Sequence, residues 1–477
     1  MSFDLRHRER LLGACSRRGL LAHLGMTGGL LGLQSLLAQA AEAQAPVNRD
    51  LLQRPTNDSP RVKRIIYLFQ NGGPSHVDLF DPKPRLKKHD GEKPGSDFVN
   101  DVDAKKTGVW LGSPFDFRRY GRSGMEMSEL LPELGNRHAD NIALVRSMVS
   151  DHENHEQACC HMHTGSAISG RPTMGAWVTY ALGTENQSLP AYVAILNPAG
   201  LPVDGARNWS SGWMPPLFQG MPVRAAKTSP ILNLDPRIAA DPARARLDFL
   251  QELNRRHRQG REDNLELEAR ISNFELAARM QLAATDALDV TTESAATHQL
   301  YGLDKPETEV YGRELLLARR LSERGVRFVQ VMMTGQPWDT HSNNSNQLKT
   351  LCRSTDVPVS GLLTDLKQRG LLDETLVLWT GEFGRTPFAE GKDGRDHHKR
   401  AFSLWMAGGG IKGGVTHGGT DDFGYASVTD VVRVCDLHAT ILHLMGMRFK
   451  DLTFQHDARP QRLTDFHEAQ IVKPILA

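Results

Sequence analysis

The chain has 477 residues, enough to bury one large hydrophobic core together with a helical insertion. It carries 57 Lys and Arg residues against 56 Asp and Glu residues, a net charge of +1 at pH 7. Because positive and negative charges are nearly balanced, the sequence does not indicate that the protein binds nucleic acid or a membrane surface.

The first 45 residues have the order of segments that is typical of a twin-arginine signal peptide. Arg17 and Arg18 follow a basic start, residues 20–37 are mostly apolar, and small residues then offer cleavage sites at 38–40 or 43–45. A retained membrane anchor is the alternative, but the apolar stretch contains four glycines, His23 and Gln34 and would span a bilayer poorly. We therefore expect a periplasmic or secreted protein without a membrane span in its mature form, joined to the signal by a linker at residues 46–60.

Six short runs of branched apolar residues follow along the chain and predict strands. They lie at residues 64–70, 141–148, 191–197, 326–333, 375–380 and 402–407. The runs do not alternate apolar with polar residues, which is typical of strands buried on both faces. Helical patterns at 310–324, 345–369 and 431–445 separate several of them, so we predict an α/β fold with a doubly wound, mostly parallel sheet and helices on both faces. The charged segment at 241–295 predicts a helical subdomain within a single domain that spans residues 61–477.

Four cysteines lie outside the signal peptide: Cys159, Cys160, Cys352 and Cys435. An oxidising compartment would allow disulfides among them, although a bridge between the adjacent Cys159 and Cys160 would be strained. Buried free thiols are the alternative.

Polar clusters follow several of these strands, where open α/β sheets place their functional sites. They cover residues 71–78, 151–163, 338–341, 380–387 and 394–398. The first cluster has an ordinary structural interpretation, a strand-to-helix turn capped by Ser75, and a single histidine is more often structural than a ligand. The last three clusters lie close together in sequence and combine carboxylates with imidazoles. We therefore predict a metal site, and such ligands favour zinc, manganese or iron over calcium.

Seven motifs together resemble the domain-of-unknown-function-1501 family of bacterial exported proteins. In chain order they are IIYLFQNGGPSHVDLFDPKP, YGRELLLARRLSERGVRFVQV, WDTH, GEFGRTP, GRDHH, AGGGIKGG and DLHATILHLMG. The resemblance runs from about Arg61 to the C-terminus. This family is grouped with the alkaline-phosphatase and sulfatase superfamily, which implies a doubly wound α/β core with metals at the strand ends.

The resemblance also implies roles for individual residues, with departures. Asn71 occupies the place of the first-strand metal-binding aspartate, and Glu382 replaces another aspartate of the superfamily. His155 matches the position of the nucleophilic cysteine or serine of sulfatases, and Cys159 the position of their arginine. No formylglycine motif exists, so a standard sulfatase is not expected.

Asp339 and His341 resemble a metal-binding pair of cofactor-independent phosphoglycerate mutases, with altered spacing. We expect one metal on Asp339, His341 and a histidine from His397–His398.

A second, weaker site would use Asn71, Glu382 and Asp396. His155 would act as nucleophile or general base, and Arg385 would clamp an oxyanion.

The leading functional hypothesis is a metal-dependent hydrolase of sulfate or phosphate esters that acts on a small-molecule or polysaccharide substrate. The alternative is a non-catalytic binding or cell-surface protein on a degenerate sulfatase- or phosphatase-like scaffold. The missing nucleophile and the lost aspartate favour the alternative, and the clustered histidines and carboxylates favour the hydrolase.

Overall fold

A computed structural model of the chain describes residues 50–95, 108–226, 240–261, 286–465 and 468–477, with a few further positions between 264 and 276. The predicted signal peptide, the start of the predicted linker and part of the predicted helical subdomain lie outside the described residues. Within the described part, no helix is both long and apolar enough to cross a membrane.

A nine-stranded sheet forms the centre of the main compact unit, which comprises residues 49–452 and 462–477. Its strands are β1 (Arg64–Phe69), β4 (Ile142–Val149), β5 (Tyr192–Leu196), β6 (Met221–Arg224), β7 (Phe328–Met332), β8 (Thr375–Thr380), β11 (Phe402–Gly408), β12 (Val415–His417) and β15 (Val432–Arg433). All six predicted strands are confirmed. Every residue of β5, β7 and β8 is buried, because helices or loops cover both faces of the sheet.

The strand order is β12-β4-β11-β8-β1-β7-β5-β6, and β15 also pairs with β4. Strand β1 runs parallel to both β7 and β8, and β5 runs parallel to β6 and β7. Strand β11 is antiparallel to both of its neighbours, so the other eight strands share one direction. The carboxyl ends of β1, β4, β7 and β8 and the amino end of β11 therefore meet at one edge of the sheet.

Ten helices with both ends among the described residues accompany the sheet. They are α1 (His76–Leu79), α2 (Pro84–Lys88), α3 (Pro132–His138), α4 (His155–Thr164), α5 (Met174–Leu182), α6 (Ala240–Arg258), α7 (Ala295–Leu300), α8 (Pro306–Glu323), α9 (Asn344–Gln368) and α10 (Val434–Leu444). Helices α8, α9 and α10 confirm the three predicted helical patterns to within four residues at each end. Short 3-10 turns lie at Ala139–Asn141, Gly205–Trp209, Pro216–Phe218, Val290–Thr292, Leu372–Glu374 and Lys473–Ile475.

The remaining strands form small two-stranded sheets. These pair β2 (Phe117–Tyr120) with β3 (Met125–Ser128), β9 (Gly384–Arg385) with β10 (His397–His398), and β13 (Gly419–Thr420) with β14 (Ser427–Thr429). Residues 453–461, the described part of a second unit, form an antiparallel hairpin of β16 (Phe454–His456) and β17 (Arg459–Gln461). Cys159, Cys160, Cys352 and Cys435 are all buried free thiols.

Candidate metal centre

Four separate loops bring polar side chains to the carboxyl edge of the sheet. Asn71 follows β1, His155 begins α4 after β4, Asp339 and His341 follow β7, and Glu382 follows β8. The β9–β10 hairpin adds His397, because it pairs Arg385 with His397 just before the chain enters β11. The side chains predicted from separate motifs are therefore placed at a common edge by the parallel topology.

Three imidazole rings surround one carboxylate oxygen. The Oδ1 atom of Asp339 lies 2.8 Å from Nε2 of His341, 3.1 Å from Nε2 of His397 and 3.3 Å from Nε2 of His155. The Nε2 atoms of His341 and His397 are 2.9 Å apart. All three rings thus direct the same nitrogen, Nε2, toward Oδ1 of Asp339, and the guanidinium of Arg385 donates to the same oxygen.

Two further carboxylates hold the opposite nitrogens of two of these rings. Glu382, which is completely buried, lies 2.6 Å from Nδ1 of His155, and Glu390 contacts Nδ1 of His341. In a neutral ring, donation of the Nδ1–H to this carboxylate leaves the Nε2 lone pair available to a cation beside Asp339. A carboxylate behind the ring is the usual partner of a metal-ligating histidine, because it fixes the tautomer and the ring orientation.

The charges of this cluster shift the pKa values of its members. Burial lowers the pKa of His155, but the carboxylates of Asp339 and Glu382 outweigh burial and raise that pKa to about 9. Burial alone would raise the pKa of Asp339, whereas contacts with His155, His397 and Arg385 hold it well below its usual range. Asp339 is therefore a carboxylate at every physiological pH and favours positive charge next to it.

The arrangement fits a metal cation. Nε2 lone pairs and a carboxylate oxygen repel one another at 2.8–3.3 Å unless a proton or a cation lies between them. Ligand bonds of about 2.0–2.1 Å in a tetrahedral site place neighbouring ligand atoms roughly 3.3 Å apart, close to these distances. The ligating atoms of His155, Asp339 and His397 lie within 4.8 Å of one another, as do those of His341, Asp396 and His397.

The other predicted ligands surround this group without completing it. Glu382 accepts the backbone N–H of Gly72 at 2.9 Å in addition to its contact with His155. Asn71 is completely buried, and neither polar atom of its side-chain amide has a hydrogen-bond partner among the described residues. Asp396 accepts the backbone N–H of His397 at 2.8 Å. The second site predicted on Asn71, Glu382 and Asp396 stays a prediction.

His398 and Arg385 lie in surroundings that differ from those expected. The Nε2 atom of His398 contacts the backbone carbonyl of Tyr425, and its ring stacks on His76 with centroids 6.3 Å apart. Arg385 is completely buried and donates to the backbone carbonyls of Gly72, Gly73 and Arg395 as well as to Asp339. Its predicted function as an anion clamp stays a prediction, since four of its hydrogen bonds are made within the protein.

Glu390 and Gln336, which donates to Oδ2 of Asp339 at 2.9 Å, are members of the site that the sequence did not reveal. Glu390 lies partly exposed beside a turn, and its backbone forms a bridge with Gly394. A lone glutamate beside a turn carries no recognisable spacing, so only the fold could connect it with His341.

A family model described as "Protein of unknown function (DUF1501)" matches residues 62–476. No curated protein matches the chain in sequence at a significant level.

The solved structures that match this chain include three enzymes. The lipoteichoic acid synthase of Listeria monocytogenes is 8% identical, with 85% of this chain and 78% of that chain covered and a TM-score of 0.38. The phosphonate monoester hydrolase of Silicibacter pomeroyi is 11% identical, with 88% of this chain and 76% of that chain covered and a TM-score of 0.33. A sulfatase of Pseudoalteromonas is 11% identical, with 81% of this chain and 68% of that chain covered and a TM-score of 0.33. Similarity at this level assigns no residue and no activity to this chain.

Proposed function

This chain belongs to the DUF1501 family of proteins of unknown function, and we propose that it is an exported, metal-dependent hydrolase of sulfate or phosphate esters. The observation that carries the proposal is the convergence of three Nε2 atoms on the carboxylate of Asp339. Asp339, His155, His341 and His397 are the proposed ligands. Imidazole and carboxylate together suit zinc, manganese or iron.

A divalent metal held by these residues would supply Lewis-acid polarisation of an ester oxygen and would lower the pKa of a bound water. The protein's own contribution is to fix the ligands. With a metal bound, Glu382 and Glu390 would accept the Nδ1 protons of His155 and His341, so that both rings present an Nε2 lone pair to it. Asn71 offers an amide with free donor and acceptor capacity in a buried position, where a hydrogen bond to a ligand is worth most.

In this proposal His155 is a ligand and not a nucleophile. Its Nδ1 atom is engaged by Glu382 and its Nε2 atom faces Asp339, so neither nitrogen is free to attack a substrate. A direct attack by water on the ester then replaces the covalent step that the resemblance implied.

Two neighbouring histidines provide a matched test of the metal centre. We expect the purified full-length protein to contain a transition metal and His397→Gln to lose it, since Nε2 of His397 is part of the cluster. His398→Gln should retain the metal, because His398 bonds to the carbonyl of Tyr425 instead. Metal content by elemental analysis measures both, and wild-type protein that binds no transition metal would reject the proposal.

Turnover separates the hydrolase from the alternative, a non-catalytic binding protein. A panel of sulfate and phosphate esters is incubated with metal-loaded wild type and with Asp339→Ala. Hydrolysis by the wild type that falls at least about 100-fold in Asp339→Ala supports catalysis, because Asp339 contacts all three histidines. Bound metal without turnover of any ester would support the binding protein.

Export by the twin-arginine route is the remaining part of the proposal. It rests on Arg17 and Arg18 ahead of the apolar stretch, all within residues that the structure does not describe. Changing both arginines to lysine should leave the protein in the cytoplasm, as measured by fractionation. Unchanged export of this variant would contradict the twin-arginine route.

A further inference from the structure

A buried network of five polar side chains connects the loop after β7 with the β9–β10 hairpin, which together carry three of the proposed ligands. Its members are Ser75, Asp78, Thr340, Asn344 and Arg395, and we call it the Asp78 network. Asp78 and Arg395 form an ion pair in which both side chains are 0% exposed. Arg395 donates from Nε to Oδ2 of Asp78 at 2.7 Å and from Nη2 to Oδ1 at 3.0 Å. Ser75 Oγ and Asn344 Nδ2 donate to Oδ2 at 2.6 and 3.0 Å.

The network reaches the loop after β7 through Thr340, which lies between Asp339 and His341. Thr340 donates its hydroxyl to Oδ1 of Asn344 at 2.7 Å. Asn344 is the first residue of α9, and its amide nitrogen donates in turn to Asp78. The backbone that carries two proposed ligands is therefore connected to Asp78 by two consecutive side-chain hydrogen bonds.

A backbone hydrogen bond joins this loop directly to the hairpin of His397. The N–H of Arg395, two residues before His397, donates to the carbonyl of Thr340 at 3.0 Å. Gly394 permits this close approach, since a Cβ atom there would lie 1.7 Å from the carbonyl oxygen of His341. The guanidinium of Arg395 fixes the hairpin further by donating to two carbonyls, those of Thr386 and Leu111.

Stabilisation alone is a poor explanation for such a network. Removing two charges from water costs free energy that their attraction only partly returns, and apolar side chains of similar volume often serve stability equally well. A buried polar network whose members are satisfied instead specifies one geometry, because any displacement breaks hydrogen bonds that water cannot replace. Both oxygens of Asp78 are engaged, and Oδ2 accepts from three donors.

We propose that the Asp78 network holds the loop of Asp339 and His341 and the hairpin of His397 at the separation that metal binding requires. Asp78, Asn344 and Arg395 are then positioning residues that act through the ligands. The inference rests on the proposed metal centre. Partners of this kind change metal affinity by about 10- to 100-fold when they are lost.

The test compares two substitutions of buried carboxylates in the full-length protein. Asp78→Asn removes the charge partner of Arg395, and Asp365→Asn removes a carboxylate that pairs with the equally buried Arg319 between helices α8 and α9. Both variants should unfold at a lower temperature than the wild type when metal is absent. Only Asp78→Asn should weaken Zn²⁺ binding, by about 10- to 100-fold in a chelator competition, and alter the absorption spectrum of bound Co²⁺.

Thr340→Val supplies a second variant if Asp78→Asn does not fold. It keeps the shape of the side chain and removes only the hydrogen bond to Asn344, and we expect it to weaken Zn²⁺ binding in the same direction. Unchanged affinity in both folded variants, or an equal loss in Asp365→Asn, would overturn the inference.

A metal-independent measurement keeps this inference distinct from the proposed function. In ¹⁵N-labelled metal-free protein, the ring resonances of His341 and His397 should move in Asp78→Asn and Thr340→Val and stay in place in Asp365→Asn. Wild type that binds no Zn²⁺ would reject the metal centre, whereas unmoved ring resonances would reject the positioning network.

Discussion

Glu314 is a carboxyl group in the interior of the protein with a partner for only one of its oxygens. It is completely buried on α8, its Oε1 atom accepts from Asn197 at 2.9 Å, and Oε2 has no hydrogen-bond partner among the described residues. Burial raises the pKa of Glu314 to about 8, although the hydrogen bond from Asn197 opposes this shift. The folded protein therefore holds a proton on Glu314 at neutral pH.

This proton makes stability depend on pH. In the unfolded chain the pKa of a glutamate is about 4.3, so between pH ~4.3 and ~8 the unfolded state gains stability by releasing a proton that the folded state retains. Stability should fall as pH rises through this window and level off above it. Glu314→Gln removes the titrating group and with it this loss of stability at high pH. The substitution should stabilise the protein by on the order of a few kcal/mol at pH 8.5, with a much smaller effect at pH 5.

Thermal unfolding at the two pH values measures the difference, with Glu307→Gln on the exposed side of the same helix as the control. The same change in unfolding temperature at both pH values would contradict a titrating Glu314.

The site residues differ in how far the sequence could identify them. Asp339 and His341 were predicted because they follow a buried strand, where the topology places functional side chains. The sequence could not choose between His397 and His398, since consecutive residues of a strand point to opposite sides and only the direction of β10 decides. Glu390 gave no signal, because its contact with His341 depends on how a turn packs.

At the level of structural elements, the geometry of the site depends on a close backbone contact between the loop after β7 and the β9–β10 hairpin. A Cβ atom at Gly394 would lie 1.7 Å from the backbone oxygen of His341, so Gly394→Ala must push the hairpin away from the loop after β7. We expect Zn²⁺ affinity to fall about 10-fold or more in a chelator competition. Gly419→Ala is the control, because its Cβ atom would meet nothing within 4 Å. Wild-type affinity in Gly394→Ala would show that the contact can relax without cost to the site.

Strands and helices could be predicted from the sequence where burial imposes a recognisable pattern of apolar residues. The strands at the centre of the sheet read as continuous apolar runs because both of their faces are covered. The edge strands β6, β12 and β15 are short and only partly buried, and they were missed. Helix α4 was interpreted as a histidine-rich cluster and not as a helix, since its sequence HEQACCHMHT has no apolar periodicity despite the capping hydrogen bond of Asn154.

At the scale of the whole molecule, metal binding and folding should be coupled. The proposed ligands come from loops after β4 and β7 and from the β9–β10 hairpin, so the unfolded chain holds no preformed site. Free metal at 100 times its dissociation constant should stabilise the folded state by about 2.7 kcal/mol. We expect a chelator to lower the unfolding temperature of the wild type by a few degrees and to leave Asp339→Ala unchanged. An equal response in both proteins would place the stabilising metal elsewhere.

The separation of the ligands along the chain also has a consequence for the order of events during synthesis. His155 and its carboxylate partner Glu382 are 227 residues apart in the sequence. At about 5–20 residues per second, a ribosome needs roughly 10 to 45 s to add that length, so His155 exists for that time without the group that orients it. A half-made chain therefore has no means of capturing an ion in this geometry. Occupancy by metal would mark a polypeptide that has been synthesised at least as far as His397, beyond strands β1, β4, β7 and β8 of the central sheet.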